Sequence, residues 1–82
     1  MKAYEITMSR CESTYYHKYS TNLKKLIKEY YREKRRLISS SVLYVEESRH
    51  FKGALAPYFS LEVQDNDDIY KVLLTDIEIV EE

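Results

Sequence analysis

One segment of the chain repeats its apolar residues with the period of a helix, and this restricts how the rest can fold. Within residues 22–38 the repeating apolar positions are Leu23, Leu26, Ile27, Tyr30, Leu37 and Ile38. At about 100° per residue they fall on one stripe of an α-helix. The residues Ser-Thr-Asn at 20–22 supply N-cap side chains. The pattern predicts one amphipathic helix over 22–38, ending near the serines at 39–41.

The other segments have the features of strands. The first alternates, with Tyr4, Ile6 and Met8 on one side and polar residues on the other. β-branched or aromatic residues are frequent in four further segments, at 13–19, 41–47, 54–63 and 69–80. Turns are expected at 10–12, 48–50 and 64–68. The sequence therefore predicts an α+β fold of order ββαβββ, a small antiparallel sheet of four to five strands with one amphipathic helix packed on a face.

Two details of the sheet follow from single residues. Pro57 cannot donate a ladder hydrogen bond, which predicts an edge position or a bulge near the start of the fourth strand. Adjacent Tyr15 and Tyr16 are expected to point to opposite faces of their strand. A sheet edge near the fourth or fifth strand could pair between subunits, and the oligomeric state is open.

Composition limits the architecture and the setting. The 82 residues, 44% hydrophobic and 33% charged, indicate a single folded domain over 1–82. Gly53 and Pro57 are the only residues of their types, which argues against a glycine-rich phosphate loop. No apolar run is long enough for a membrane-spanning helix, so no membrane partner is expected. The single cysteine, Cys11, favours a reducing cytoplasm.

Charge is divided unevenly along the chain. Residues 1–50 hold eleven Lys or Arg against six Asp or Glu, whereas residues 51–82 hold two against eight. On the predicted helix Lys24, Lys28, Arg32 and Arg36 follow one another at i,i+4 spacing, with Arg35 beside them. Like charges at this spacing repel by a few tenths of a kcal/mol per pair.

Two interpretations of this basic stripe are open. Exposed helix faces are commonly charged, so the stripe can be a solvated surface, paired in part with the acidic C-terminal third. Alternatively it binds a partner, with Lys24, Lys28, Arg32, Arg35 and Arg36 as charge contacts and Tyr31 as an aromatic anchor. An acidic protein surface fits such residues. Nucleic acid also fits, although dedicated nucleic-acid binders are commonly basic overall and this chain has a pI near 6.1.

Chemical constellations are weak. Cys11, His17 and His50 match no zinc spacing, and neither a metal, a cofactor nor an enzymatic activity is expected from them. A small enzyme or metal site built on these three residues is the third class considered. The acidic C-terminal third, Asp65 to Glu82, could imitate a row of phosphates, but turns and outward strand positions explain its charges as well.

The layout resembles that of one group of proteins. A short chain that opens with "MKAYEI" in a hairpin and continues with one amphipathic helix and more strands is similar to small accessory proteins of phages and mobile elements, among them anti-CRISPR proteins. The resemblance covers the order of elements and includes no diagnostic motif. It implies a non-catalytic phage-encoded inhibitor in the host cytoplasm that binds a nucleic-acid-processing protein complex and blocks substrate access. The alternative is a small nucleic-acid-binding module that uses the basic helix 22–38.

Overall fold

Five strands and one helix make up the fold. The computed structural model describes residues 2–39, 41–53 and 56–78. The elements are β1 (Lys2–Arg10), β2 (Ser13–Ser20), α1 (Leu23–Leu37), β3 (Tyr44–Phe51), β4 (Pro57–Gln64) and β5 (Ile69–Glu78). The strands form one antiparallel sheet in the order β2-β1-β5-β4-β3. The predicted α+β class and the order ββαβββ are confirmed, with five strands.

The core is built from alternate strand residues and the apolar stripe of α1. The buried cluster contains Tyr4, Ile6, Met8, Leu26, Tyr30, Leu37, Phe59, Leu61, Val63, Val72 and Leu74. Strand side chains alternate between the two faces of a sheet, so β1, β4 and β5 contribute every second residue. The helix contributes residues spaced by four and seven positions, which lie on one side of it. The alternation predicted for the first and fourth strands is confirmed.

The helix begins and ends within one residue of the predicted range. Asn22 is the N-cap, and its side-chain oxygen accepts the amide hydrogen of Lys25 at 3.2 Å. This satisfies one of the donors that a first helical turn leaves free. At the other end the amide of Ile38 donates to the carbonyl of Lys34 at 3.0 Å, after which the chain is extended.

The turn predicted at 48–50 is wrong. These residues lie inside β3, where Ser48, Arg49 and His50 pair with Ser60, Phe59 and Tyr58 of β4. The third strand accordingly runs over 44–51 instead of 41–47. The polar composition of this segment suggested a turn, but pairing with β4 supplies the backbone hydrogen bonds that make it a strand.

The structure shows neither the edge position nor the bulge that the sequence predicted for Pro57, because both ladders of β4 keep a regular register. β4 lies between β3 and β5, so it is an interior strand, and β5 is interior as well. The sequence suggested that a sheet edge near the fourth or fifth strand could pair between subunits. Neither strand is at an edge, so the pairing cannot occur there. Pro57 is the first residue of β4, where a missing amide hydrogen costs little. Residues 54 and 55, with which the predicted strand began, lie outside the described part of the chain.

The turn between β1 and β2 uses unfavourable backbone angles. Arg10 pairs with Ser13, and the two residues between them, Cys11 and Glu12, have φ of 48° and 72°. Such tight hairpins favour Asn-Gly, because only glycine adopts positive φ without a steric penalty. The sequence predicted a turn at these residues but not its type. The type was not visible because Cys and Glu occupy the two left-handed positions, where Asn and Gly are usual.

Glu12→Gly should therefore stabilise the domain. Removing the left-handed penalty is worth about 1–2 kcal/mol, and the greater freedom of glycine in the unfolded chain offsets roughly 0.5–1 kcal/mol of it. The expected result is a modest rise in the free energy of unfolding, measured by urea titration. Glu12→Ala keeps the positive φ and is the control. Equal stability of the two variants would contradict the explanation.

Candidate binding face of helix α1

Three tyrosine hydroxyls donate hydrogen bonds to three glutamates around the helix. Tyr16 donates to Glu29 at 3.0 Å and Tyr15 donates to Glu33 at 2.5 Å. The third pair joins Tyr30 to Glu47 of β3 at 2.7 Å. The Glu33 residue is only 7% exposed, so its carboxylate depends on such partners.

A cation completes each of these pairs. Lys18 lies 3.2 Å from Glu29, and Lys34 lies 2.8 Å from Glu47. Two guanidinium nitrogens of Arg36 donate hydrogen bonds to the carboxylate of Glu33. Each carboxylate is thus held between a phenol and a positive charge, and these contacts join the helix to β2 and β3.

A β-bulge makes two of the pairs possible. Met8 pairs with Tyr16 and Ser9 pairs with Thr14, so Tyr15 is the extra residue of β2. Both Tyr15 and Tyr16 consequently send their hydroxyls to glutamates of α1. The prediction that the two point to opposite faces is wrong, because it assumed a regular strand and a bulge suspends the alternation.

These contacts shift the ionisation of the groups they join. The hydrogen bond from Arg36 lowers the pKa of Glu33, although burial opposes the shift. At Glu47 burial raises the pKa, but hydrogen bonds from Lys34 and Tyr30 outweigh it and the net shift is downward. Burial, followed by the hydrogen bond to Glu33, raises the pKa of Tyr15 to about 12. The pKa of Tyr30 is raised by burial and by its bond to Glu47.

Stability should therefore fall at both ends of the pH scale. Glu33 and Glu47 have a lower pKa in the folded state, so their contribution is complete above the ordinary value of 4.5 and is lost as the pH falls through the folded value. For Tyr15 and Tyr30, whose pKa is raised, the contribution is complete below 10.0 and is lost as the pH rises. Urea titrations across the pH range should show a plateau between these limits. In a Tyr15→Phe, Tyr30→Phe variant the alkaline decline should shrink, and an unchanged decline would contradict this assignment.

The outer side of the helix carries cations with no such partners. Lys24, Lys28, Arg32 and Arg35 are exposed, and no hydrogen bond or ion pair engages them within the described residues. We call these four residues the outer basic face. They span about 16 Å of helix at 1.5 Å per residue. Together with Ile27 and Tyr31, three of them line a shallow depression of about 340 Å³.

The two remaining residues of the predicted site have intramolecular partners. Arg36 is held by Glu33, although 61% of its side chain is exposed. Tyr31 is half-buried, accepts a hydrogen bond from Arg49 of β3, and has Lys34 and Arg49 at 5.9 and 5.6 Å from its ring centre. The sequence missed Arg49, because only the pairing of distant strands brings it to the helix. The Glu33–Arg36 pair had a signal in its i,i+3 spacing.

Acidic residues of the C-terminal third are engaged elsewhere. Asp68 pairs with Arg10 at 2.8 Å, and Glu62 lies 3.7 Å from Lys71. Asp65 accepts two amide hydrogens of its own turn, as the sequence predicted for 64–68. In the part of the chain that the structure describes, no ion pair joins this third to α1. Intramolecular neutralisation by the described acidic residues therefore does not account for the outer basic face.

The sulfur and imidazole groups lie apart. Cys11 is exposed in the first hairpin, His17 contacts Glu5 at 3.3 Å, and His50 lies against Tyr58. Across residues 2–39, 41–53 and 56–78, no three His, Cys, Asp or Glu side chains are grouped so as to hold a metal ion.

Of the described segments, α1 is the one helix, and it is too short and too polar to cross a membrane.

No family model, curated protein or solved structure matches the chain. The resemblance to anti-CRISPR proteins therefore stays a prediction from the layout.

Proposed function

We propose that this chain is a non-catalytic binding protein whose contact surface is the outer basic face of α1. In this proposal the helix packs on the sheet through its apolar stripe and presents Lys24, Lys28, Arg32 and Arg35 to an acidic surface of another protein. The biological setting we propose is inhibition, in which the bound protein blocks substrate access to a nucleic-acid-processing complex.

The supporting observation is the contrast between two sets of cations on one helix. Lys34 and Arg36 are held by buried or half-buried carboxylates of the same chain. The four residues of the outer basic face have no such partner within the described residues. They form three like-charged pairs, two at i,i+4 spacing and one at i,i+3 spacing. Their mutual repulsion costs about 1 kcal/mol or less, a cost that an acidic partner would turn into a gain.

Nucleic acid is the second candidate partner. Tyr31 borders the outer basic face, as a stacking residue would. However, four phosphate contacts predict a salt slope of only about −3.6 on duplex DNA, weaker than for dedicated binders. The acidic turn at 65–68 and the net charge of −1 also give no general attraction to a polyanion.

Fluorescence anisotropy with single- and double-stranded DNA and RNA separates the two candidates. The protein is compared with Lys28→Glu, Arg35→Glu and with a control of equal net charge, Lys52→Glu, Lys71→Glu. We expect weak or no binding at low salt for all three. Micromolar binding that is lost only in the first variant, with a slope near −3.6, would establish the nucleic-acid alternative instead.

The protein partner is then sought by cross-linking capture from nuclease-treated lysate. The proposal predicts acidic proteins that the unmodified chain and the control variant retain and that Lys28→Glu, Arg35→Glu loses. Recovery of the same proteins by all three chains would contradict a contact through the outer basic face.

A further inference from the structure

The outer edge of β3 combines exposed apolar side chains with charges of both signs. β3 and β2 are the two edges of the sheet, and alternate residues of an edge strand direct their N–H and C=O groups away from it. Three large apolar side chains on β3 are also exposed, at 45% for Tyr44, 42% for Val45 and 53% for Phe51. Such an edge is a template for another strand.

We propose that β3 pairs antiparallel with β3 of a second copy of this chain, across a two-fold axis at Ser48. The two five-stranded sheets then join into one of ten strands. Because directly opposite residues share a face, Glu47 faces Arg49 of the second copy on the helix side. This contact adds to the ion pairs that Glu47 forms with Lys34 and Arg49 of its own chain, at 2.8 and 3.4 Å. Val45 meets Phe51 on that side as well. On the other side, Glu46 meets His50.

Charge complementarity selects this register. The two-fold axis of such a pair is normal to the sheet, so each side chain stays on its own face. Directly opposite residues must therefore belong to the same face, which requires that one residue lies opposite its own copy at the axis. Centres at Glu46 or Glu47 oppose two glutamates, and a centre at Arg49 opposes two arginines. Like charges directly opposite one another are destabilising, whereas opposite charges are favourable. Only the centre at Ser48 places both glutamates against basic or imidazole side chains and the two apolar ends against each other.

The second edge offers no such match. β2 contains no acidic residue, so a symmetric pair of two β2 strands brings no opposite charges together. A bulge also interrupts β2 beside Tyr15, and bulges discourage pairing at an edge. The self-complementary surface is therefore β3.

The dimer places both helices on one side of the joined sheet. Each α1 contacts its own β1 and β5, and adjacent strands lie about 4.8 Å apart, so the two β5 strands are roughly 24 Å apart. Both outer basic faces then point the same way, which suits a partner with two acidic sites. This last step rests on the proposed function, whereas the dimer itself does not.

Substitutions at the axis test the dimer independently of any partner. Ser48 is exposed, and Ser48→Lys brings two lysines together across the axis, as Ser48→Glu does for two glutamates. Sedimentation equilibrium of the full chain should show a dimer that each variant weakens at least about fivefold. An equimolar mixture of the two variants should restore it as a heterodimer, recognised by its mass in native mass spectrometry.

The control is Ser13→Lys on the β2 edge, which should dimerise like the unmodified chain, and circular dichroism establishes that all variants are folded. A monomer at every concentration of the unmodified chain would overturn the proposal. So would dimers of Ser48→Lys and Ser48→Glu as stable as the original, because the contact would then lie elsewhere. A failure of capture through the outer basic face would leave this result unaffected.

Discussion

Tyr30→Ala should strongly destabilise the domain. The Tyr30 side chain is fully buried at the centre of the core, packs edge-on against Phe59 with ring centres 5.4 Å apart, and bonds Glu47. Replacing a buried aromatic side chain by alanine costs about 3–5 kcal/mol. A chain of this length has about 4–12 kcal/mol of stability in total, so the variant should lose roughly a quarter or more of its free energy of unfolding.

Two further variants separate packing from hydrogen bonding. Tyr30→Phe keeps the ring and removes one donor from Glu47, which retains Lys34, and should cost about 1 kcal/mol. Tyr19→Ala removes a ring that is 57% exposed and should cost little. All three free energies come from urea titration followed by circular dichroism. Similar losses for Tyr30→Ala and Tyr19→Ala would contradict the assignment of the core.

Lys28→Glu should stabilise the fold and weaken partner binding at the same time. Lys28 lies one helical turn from both Lys24 and Arg32, so the reversal replaces two repulsive i,i+4 pairs by attractive ones. The expected gain is about 0.5–1 kcal/mol, seen as a rise in Tm of roughly 2–6 °C. Loss of one charge contact at the centre of the outer basic face should weaken binding at least about tenfold.

The expected rise in stability and the expected fall in affinity together distinguish a binding face from a solvated one. A solvated helix face would give the gain in stability without a loss of binding. Arg36→Glu makes the same change of charge but leaves the buried Glu33 without its cation, and should destabilise the fold by about 2 kcal/mol. If Lys28→Glu were as destabilising as Arg36→Glu, the outer basic face would have structural partners and the proposed role would fail.

Local patterns predicted the helix and the strands of this fold. The errors concern features that depend on the pairing of distant strands. The period of Leu23, Leu26 and Tyr30 fixed the helix, because one apolar stripe must be buried whatever lies against it. The segment 48–50 was misassigned because its polar residues become a strand only through pairing with β4. The interior place of Pro57 likewise depends on the order of strands, which no local pattern contains.

The candidate site was predictable to a similar extent. The outer basic face followed from helical geometry, and Lys24, Lys28, Arg32 and Arg35 are exposed as expected. The engagement of Arg36 by Glu33 and of Tyr31 by Arg49 was not foreseen. The first contact is local and had a signal in its i,i+3 spacing, whereas the second depends on a side chain of β3 that only tertiary structure brings to the helix.

Mapping of an acidic probe on the folded protein tests whether the outer basic face of α1 is the contact surface. Two-dimensional ¹H–¹⁵N spectra of the labelled chain would be recorded during titration with an oligo-glutamate peptide. We expect shift changes concentrated at Lys24, Lys28, Arg32 and Arg35. These changes should disappear in the double variant Lys28→Glu, Arg35→Glu and persist in the control Lys52→Glu, Lys71→Glu. Changes centred instead on Tyr19, Tyr58 and Leu73, on the opposite face of the sheet, would show that the helix is not the contact surface.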